Sequence, residues 1–217
     1  MSGPTRAEAV ARFVAAAGRD PGALVPLAGD ASARRYLRIA DPDAPAVVMD
    51  APPEAGEDTR PFVAVTETLA ARGLSAPRIL AADVGAGLLM LEDLGNTLYA
   101  PLCAREPARE WPLYAAAADL LAERLSAPSA RIGSGAAEMT LPPYDVETLL
   151  VEARLATDWY LAGARGHPPA PGAVEDYTGL LAGALGHVAG ARDALVLRDY
   201  HAENLIWLGE RPGHARV

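Results

Sequence analysis

The sequence contains no lysine; all 19 of its basic residues are arginine. No side-chain amine is therefore available for Schiff-base chemistry, and no lysine can reach a bound phosphate. There is one cysteine, Cys103, which excludes an internal disulfide framework and a cysteine-based zinc site. The expected role of that lone thiol is a small apolar filler. Basic charge is outnumbered, 19 residues against 28 acidic, for a formal charge of −9. A surface for nucleic acid or an anionic membrane is not expected on that balance. No apolar run approaches membrane-spanning length, and the N-terminus MSGPTRAEAV lacks the apolar core of a signal peptide. A soluble cytoplasmic protein is expected.

What is present supports a core. Of 217 residues, 51% are hydrophobic, enough for one large domain or two small lobes. Thr5-Arg-Ala-Glu8 reads as a capping box, and Val10, Phe13, Val14 and Ala17 keep one helical face up to Gly18. After Pro26, short strands are predicted at Tyr36–Ile39 and Ala46–Met49. A helix capped near Asp58-Thr59 and ending near Gly73 follows, then strands at Arg78–Leu80 and Gly87–Leu91. There the strands are expected to stop. Glu92–Gly95 reads as a linker. Helices are predicted over Trp111–Leu125, over a long span capped by Asp145 and reaching Gly163, and over Asp176–Val188. LVLRDYHAENLIWL, Leu195 to Leu208, closes the pattern as two short strands around a polar loop.

Three stretches carry chemistry. In the closing loop, Asp199 and Asn204 stand five residues apart between apolar runs. Phosphoryl transfer needs a group to orient or accept the acceptor's proton and magnesium on the phosphates. Asp199 suits the first role, and the Asn204 side-chain oxygen, a hard ligand, suits the second. An ordinary solvated hairpin loop is the competing reading, because Asp and Asn are common turn residues. Second, LAGDASARRYLRI sets a turn at Gly29, Asp30, Ala31, Ser32 and Ala33, whose N–H groups and Ser32 hydroxyl can wrap nucleotide phosphates; a plain turn competes. Arg34, Arg35 and Arg38 follow, one of which would meet a phosphate. Third, LLMLEDLG brings backbone groups near Glu92 and Leu94 to a linker, where they would meet an adenine edge. His201 lies inside the loop, as a residue bonded to its neighbours or as an acceptor contact. Core packing is expected of Trp159 and Trp207, with Tyr160 the aromatic more open to a sugar ring.

GDASARRYLRI, VVMDAPPE, RPFVAV, LLMLEDLG, LPPYDVETLLVEARL and LVLRDYHAENLIWL together resemble the aminoglycoside phosphotransferase-like kinases. Among these they are most similar to the bacterial anomeric kinases of N-acetylmuramate and N-acetylglucosamine. The resemblance spans about Ala28 to Val217. It implies an α+β, protein-kinase-like bilobal fold, with a small β-rich N-lobe over residues 1–94 and a helical C-lobe over 95–217. It also implies ATP and Mg2+ as cofactors, an amino sugar as partner, and phosphorylation of its anomeric hydroxyl in peptidoglycan recycling. Asp199 would be the base and Asn204 the metal ligand. Asp30 to Ala33 with Arg35 would lie over the phosphates, and Glu92 to Leu94 on adenine. Tyr144, Glu152, Asp158 and His201 would contact the sugar. Aminoglycosides, choline and homoserine remain open as acceptors.

The sequence departs from that pattern at three places. Leu197 stands where a histidine is usual. Val48, Met49 and Asp50 occupy the strand that ordinarily offers a lysine, leaving Glu67 on the next helix without its usual partner. The strand expected to carry a second metal-binding aspartate would begin at ARV, where the sequence stops. An incomplete C-lobe is thus expected, with a nucleotide-binding pseudokinase and a plain interaction protein as the alternative functions.

Overall fold

The capping box at Thr5 forms as the sequence predicts. Glu8 N–H donates to the Thr5 hydroxyl at 3.3 Å, Thr5 N–H donates to Glu8 Oε2 at 2.7 Å, and α1 runs Arg6–Ala16. This is a computed structural model that describes residues 5–27, 33–126, 130–191 and 193–217. Strands β1 (Leu24–Pro26), β2 (Arg35–Ile39) and β3 (Ala46–Asp50) follow, then α2 (Arg60–Ala71), β4 (Ile79–Asp83) and β5 (Leu88–Glu92). They form one antiparallel sheet in the order β1-β2-β3-β5-β4. The chain is α+β. Among the described residues no helix is long and apolar enough to cross a membrane.

Packing divides the chain into two compact units. The first comprises Met1–Arg124, Ala130–Thr140 and Asp199–Val217; the second comprises Leu125–Ser129 and Leu141–Arg198. In the first, the sheet is covered on both faces. Val10 and Val14 of α1 pack on Ile39, Ala46, Val48, Leu88 and Met90, while α2 brings Val63 against Met49, Ala51, Leu89 and Leu91. That double cover explains why β5 reads as an unbroken apolar run. The side chains of Asp50 and Arg35, paired across β2 and β3, meet α1. The Asp50 carboxylate is buried and takes Arg6 and Arg35, each at 2.6 Å. Beyond the sheet, α3 (Tyr99–Arg105) and α4 (Glu110–Arg124) pack through Tyr99, Leu102, Leu113 and Ala117 onto Leu205.

The second unit is helical. Asp145 caps α5 (Val146–Leu155), its carboxylate accepting from Thr148 N–H at 2.9 Å. The long helix expected to reach Gly163 is interrupted. A π-helical turn, Ala156–Leu161, separates α5 from α6 (Ala162–Arg165), and α7 runs Pro171–Leu185. Tyr177 on α7 donates to the Ala153 carbonyl at 3.1 Å.

Four further expectations are corrected. A first strand, β1, precedes the predicted strands, and α3 occupies the stretch after the linker. Strands do not stop at Leu91, since β6 (Arg131–Ile132) and β7 (Met139–Thr140) pair as a small ladder. Nor do the arms of LVLRDYHAENLIWL form a strand pair: Leu195 N–H donates to the Leu125 carbonyl at 2.8 Å, beside a bridge from Ala194 to Ser126, and Ile206 bridges Leu98. Each arm finds its backbone partner elsewhere in the chain, so the two do not pair with each other.

The β6–β7 segment lies on α2 at close range, which only glycine permits at residue 133. Gly133 has φ +76°, and a Cβ there would sit 2.7 Å from Ala64 Cβ and 2.8 Å from the Ala137 carbonyl oxygen. Left-handed strain and overpacking add, so Gly133→Ala is expected to lose about 2–4 kcal/mol. The measurement is the urea midpoint at unchanged m-value.

Candidate active site

Asp199, His201 and Asn204 lie in one turn. Asp199 is exposed, and its carboxylate has no partner among the described residues. Its carbonyl oxygen accepts from His201 N–H at 3.2 Å and from Asn204 Nδ2 at 3.0 Å, while Asn204 N–H donates to the His201 carbonyl at 2.8 Å. Asn204 Nδ2 also meets His201 Nε2 at 3.1 Å, which leaves its Oδ1 without a partner among the described residues. Tyr200 roots the turn: its ring packs beside Leu205, and its hydroxyl donates to the Ala117 carbonyl of α4 at 3.1 Å. Burial pushes that phenol up to about 12.

The linker after β5 lies against this turn. Tyr99 N–H donates to the Leu205 carbonyl at 2.9 Å, Ala100 N–H to Ala202 at 3.0 Å, and Trp207 N–H to Thr97 at 2.8 Å. Glu92 N–H is spent on the Arg78 carbonyl at 2.8 Å. Burial opposes ionisation of Glu92, but hydrogen bonds from Arg78 and the charge of Arg211, 2.8 Å away, outweigh it and hold the carboxyl below its usual range. Leu94, by contrast, is half-buried and its backbone N–H and C=O have no hydrogen bond among the described residues. Of the two linker positions expected beside adenine, Leu94 is the one with backbone groups to offer.

On the sheet, Met49 is fully buried against α2 and Asp50 faces α1, so neither position is open to a ligand as a lysine would be. Glu67 accepts from the Ser134 hydroxyl at 2.8 Å instead. The arginines expected near phosphate each hold a carboxylate: Arg34 with Glu57 at 2.7 Å, Arg35 with Asp50 at 2.6 Å, and Arg38 with Asp93 at 2.6 Å. Arg35 keeps a mostly exposed side chain. Gly29, Asp30, Ala31 and Ser32 lie outside the described residues, and Ala33 is exposed.

The remaining predicted contacts belong to the second unit. Tyr144 donates its hydroxyl to Glu152 Oε2 at 2.5 Å, and Arg198 NH2 lies 2.5 Å from Glu152 Oε1. Asp158 accepts from the Thr157 hydroxyl at 3.1 Å. Core packing fails for Trp159: it is 74% exposed and Tyr160 is 77% exposed, both on the π-helical turn. Trp207 does join the core beside Tyr99. Sequence reasoning missed the backbone of Arg198. Its φ of 58° is the only positive value at a non-glycine among the described residues. Arginine gives no sequence signal for a left-handed conformation, which costs about 1–2 kcal/mol.

The Tyr144 hydroxyl, followed by Arg198, holds the Glu152 carboxyl below the usual glutamate range. A depressed native pKa stabilises the fold above the unfolded value and loses that stabilisation as pH falls through the native one. Tyr144→Phe is therefore expected to lower the denaturant midpoint at pH 7. The difference from the parent should shrink below the ordinary glutamate value of 4.5 and vanish once Glu152 is protonated; paired denaturation curves across pH check this.

Residues 23–215 match the model of the phosphotransferase enzyme family, APH. The chain is 42% identical over 142 residues to the N-acetylmuramate/N-acetylglucosamine kinase of Pseudomonas aeruginosa, covering 65% of this chain and 39% of that protein. It is 35% identical over 241 residues to the protein of the same name in Caulobacter vibrioides, covering 98% and 65%. With the Pseudomonas putida protein of that name it is 31% identical over 192 residues, covering 88% and 53%. The chain thus spans between 39% and 65% of the length of these curated relatives. It belongs to the APH phosphotransferase enzyme family.

Proposed function

We propose that this chain is an ATP-dependent small-molecule kinase of protein-kinase-like bilobal build, acting on the anomeric hydroxyl of an amino sugar. Residues 1–94 would form the nucleotide lobe and residues 95–217 the lobe bearing the catalytic loop. The family supports phosphotransfer, and the sugar class comes from the names of the relatives. The observation that carries the reading is the docking of residues 97–100, where the chain passes from the linker into α3, on the Asp199–Asn204 turn and its continuation. It puts the free backbone groups of Leu94 in the same unit as an unpartnered carboxylate and an unpartnered amide oxygen.

In this reading Asp199 orients the acceptor hydroxyl and accepts its proton as the bond to phosphorus forms. Leu94 N–H and C=O take the adenine edge, and residues 29–33 lie over the phosphates with the exposed part of Arg35. The open Oδ1 of Asn204 suits Mg2+, which takes hard oxygen ligands and leaves much of its shell to phosphates and water. No cluster of three or more His, Cys, Asp or Glu side chains suited to a metal exists among the described residues. When bound, Mg2+ neutralises charge developing on the phosphates.

A nucleotide-binding pseudokinase is the second reading. It is favoured by the absence of lysine and by the ion pairs that engage Arg34, Arg35 and Arg38. Turnover of N-acetylmuramate and N-acetylglucosamine with magnesium ATP separates the two. Asp199→Asn is expected to lower kcat by about 100-fold or more while leaving nucleotide-induced thermal stabilisation intact. Stabilisation without turnover in the parent chain would leave the pseudokinase. Among alanine variants of Arg34, Arg35 and Arg38, one is expected to raise the ATP requirement; no effect from any of them would remove arginine from the phosphate site.

A further inference from the structure

We infer that His201 is a positioning residue, setting which end of the Asn204 side-chain amide faces outward. This rests on the reading of Asn204 as the magnesium ligand. The two amide hydrogens of Asn204 meet two acceptors, the Asp199 carbonyl at 3.0 Å and His201 Nε2 at 3.1 Å. Rotating the amide by half a turn would set Oδ1 against the Asp199 carbonyl oxygen, acceptor against acceptor. Nitrogen therefore belongs on that side. His201 Nε2 must then carry a lone pair, with the ring proton on Nδ1.

The consequence falls on the oxygen. With Nδ2 spent twice, Oδ1 points away from both acceptors and has no partner among the described residues. The Asp199 carbonyl alone would leave a single pivot about which the amide swings. The imidazole supplies a second anchor, and the turn holds that imidazole in place, because His201 N–H donates to Asp199 and the His201 carbonyl accepts from Asn204 N–H at 2.8 Å. Outer contacts of this kind fix the orientation of a metal ligand and commonly change metal affinity by about 10–100-fold. His201 itself is exposed, so its replacement should leave the fold intact.

The test is Mn2+ titration, read by electron paramagnetic resonance, of the chain with a non-hydrolysable ATP analogue, which needs no turnover. His201→Ala is expected to weaken Mn2+ about 10-fold, with an unchanged thermal midpoint. His201→Gln, whose Oε1 can stand where Nε2 does, should stay within about 3-fold of the parent; a tenfold loss is ~1.4 kcal/mol, so the two are separable. Equal affinity in parent and Ala variant overturns the inference, as does equal loss in the Ala and Gln variants. A raised acceptor KM with unchanged Mn2+ affinity also overturns it, and makes His201 an acceptor contact. If the parent binds no Mn2+ with the analogue, the metal-ligand reading of Asn204 fails first and takes this inference with it.

Discussion

Three backbone hydrogen bonds between residues 97–100 and residues 202–207 hold the first unit's functional parts together. They join a linker leaving the sheet to a turn more than a hundred residues later in the chain. Side chains finish the junction. Tyr99, fully buried at the start of α3, meets Trp207 edge-on at 6.3 Å, and Tyr200 donates to α4. Arg211 then reaches back to Glu92 at the end of β5 and to the Ser75 hydroxyl, both at 2.8 Å. Such a junction fixes the direction of the linker without using the backbone of Leu94, and fixes the turn without using the Asp199 carboxylate.

The missing lysine has a physical counterpart in the sheet. A strand presents alternate residues to its two faces. The β3 position facing α2 is Met49, which fills the core, and the next position, Asp50, turns to α1. A buried carboxylate needs compensation. Asp50 has it twice, from the first turn of α1 and from its cross-strand neighbour Arg35. On the other face, Glu67 has no cation partner among the described residues and bonds Ser134, part of the β6–β7 segment that Gly133 admits to close range of α2. The helix is thus held by packing and a neutral hydroxyl, in keeping with a sequence that offers Glu67 no lysine.

Much of this was legible in residue order. The capping box, four of the five sheet strands, α2, α4 and the Asp145 cap follow from periodicity and cap chemistry, signals that act over a few residues. What escaped depends on distant partners. β1 is three residues long, too short to show alternation, and exists because β2 pairs with it. The arms around the Asp199–Asn204 turn look like strands because they are apolar, but only single bridges form there, from Ile206 to Leu98 and from Ala194, just before the first arm, to Ser126. Trp159 and Tyr160 are apolar by composition and exposed by position, since a π-helical turn shifts the helical face on which they fall. Type and spacing alone single out Asp199 and Asn204 as candidates, and the structure brings them into one turn. The left-handed Arg198 and the double use of the Asn204 amide have no sequence signature, because both depend on backbone geometry.

Asp199 and Glu203, in one turn, keep carboxylates without a partner among the described residues, whereas several acids of the first unit are engaged. Asp50, Glu57, Glu92 and Asp93 each lie against an arginine, and Glu67 accepts from a hydroxyl. These groups hold the structure and have little left for a ligand. The Asp199 main chain is committed in the same way, its carbonyl accepting twice, yet its carboxylate is not. Asn204 repeats the division within a single side chain, with the nitrogen engaged and the oxygen open. The turn thus commits the Asp199 carbonyl and the Asn204 amide nitrogen internally, while the Asp199 carboxylate and Asn204 Oδ1 keep no partner among the described residues. An ordinary solvated hairpin loop, the alternative that the spacing alone left open, would require neither the anchoring to α4 nor the docked linker.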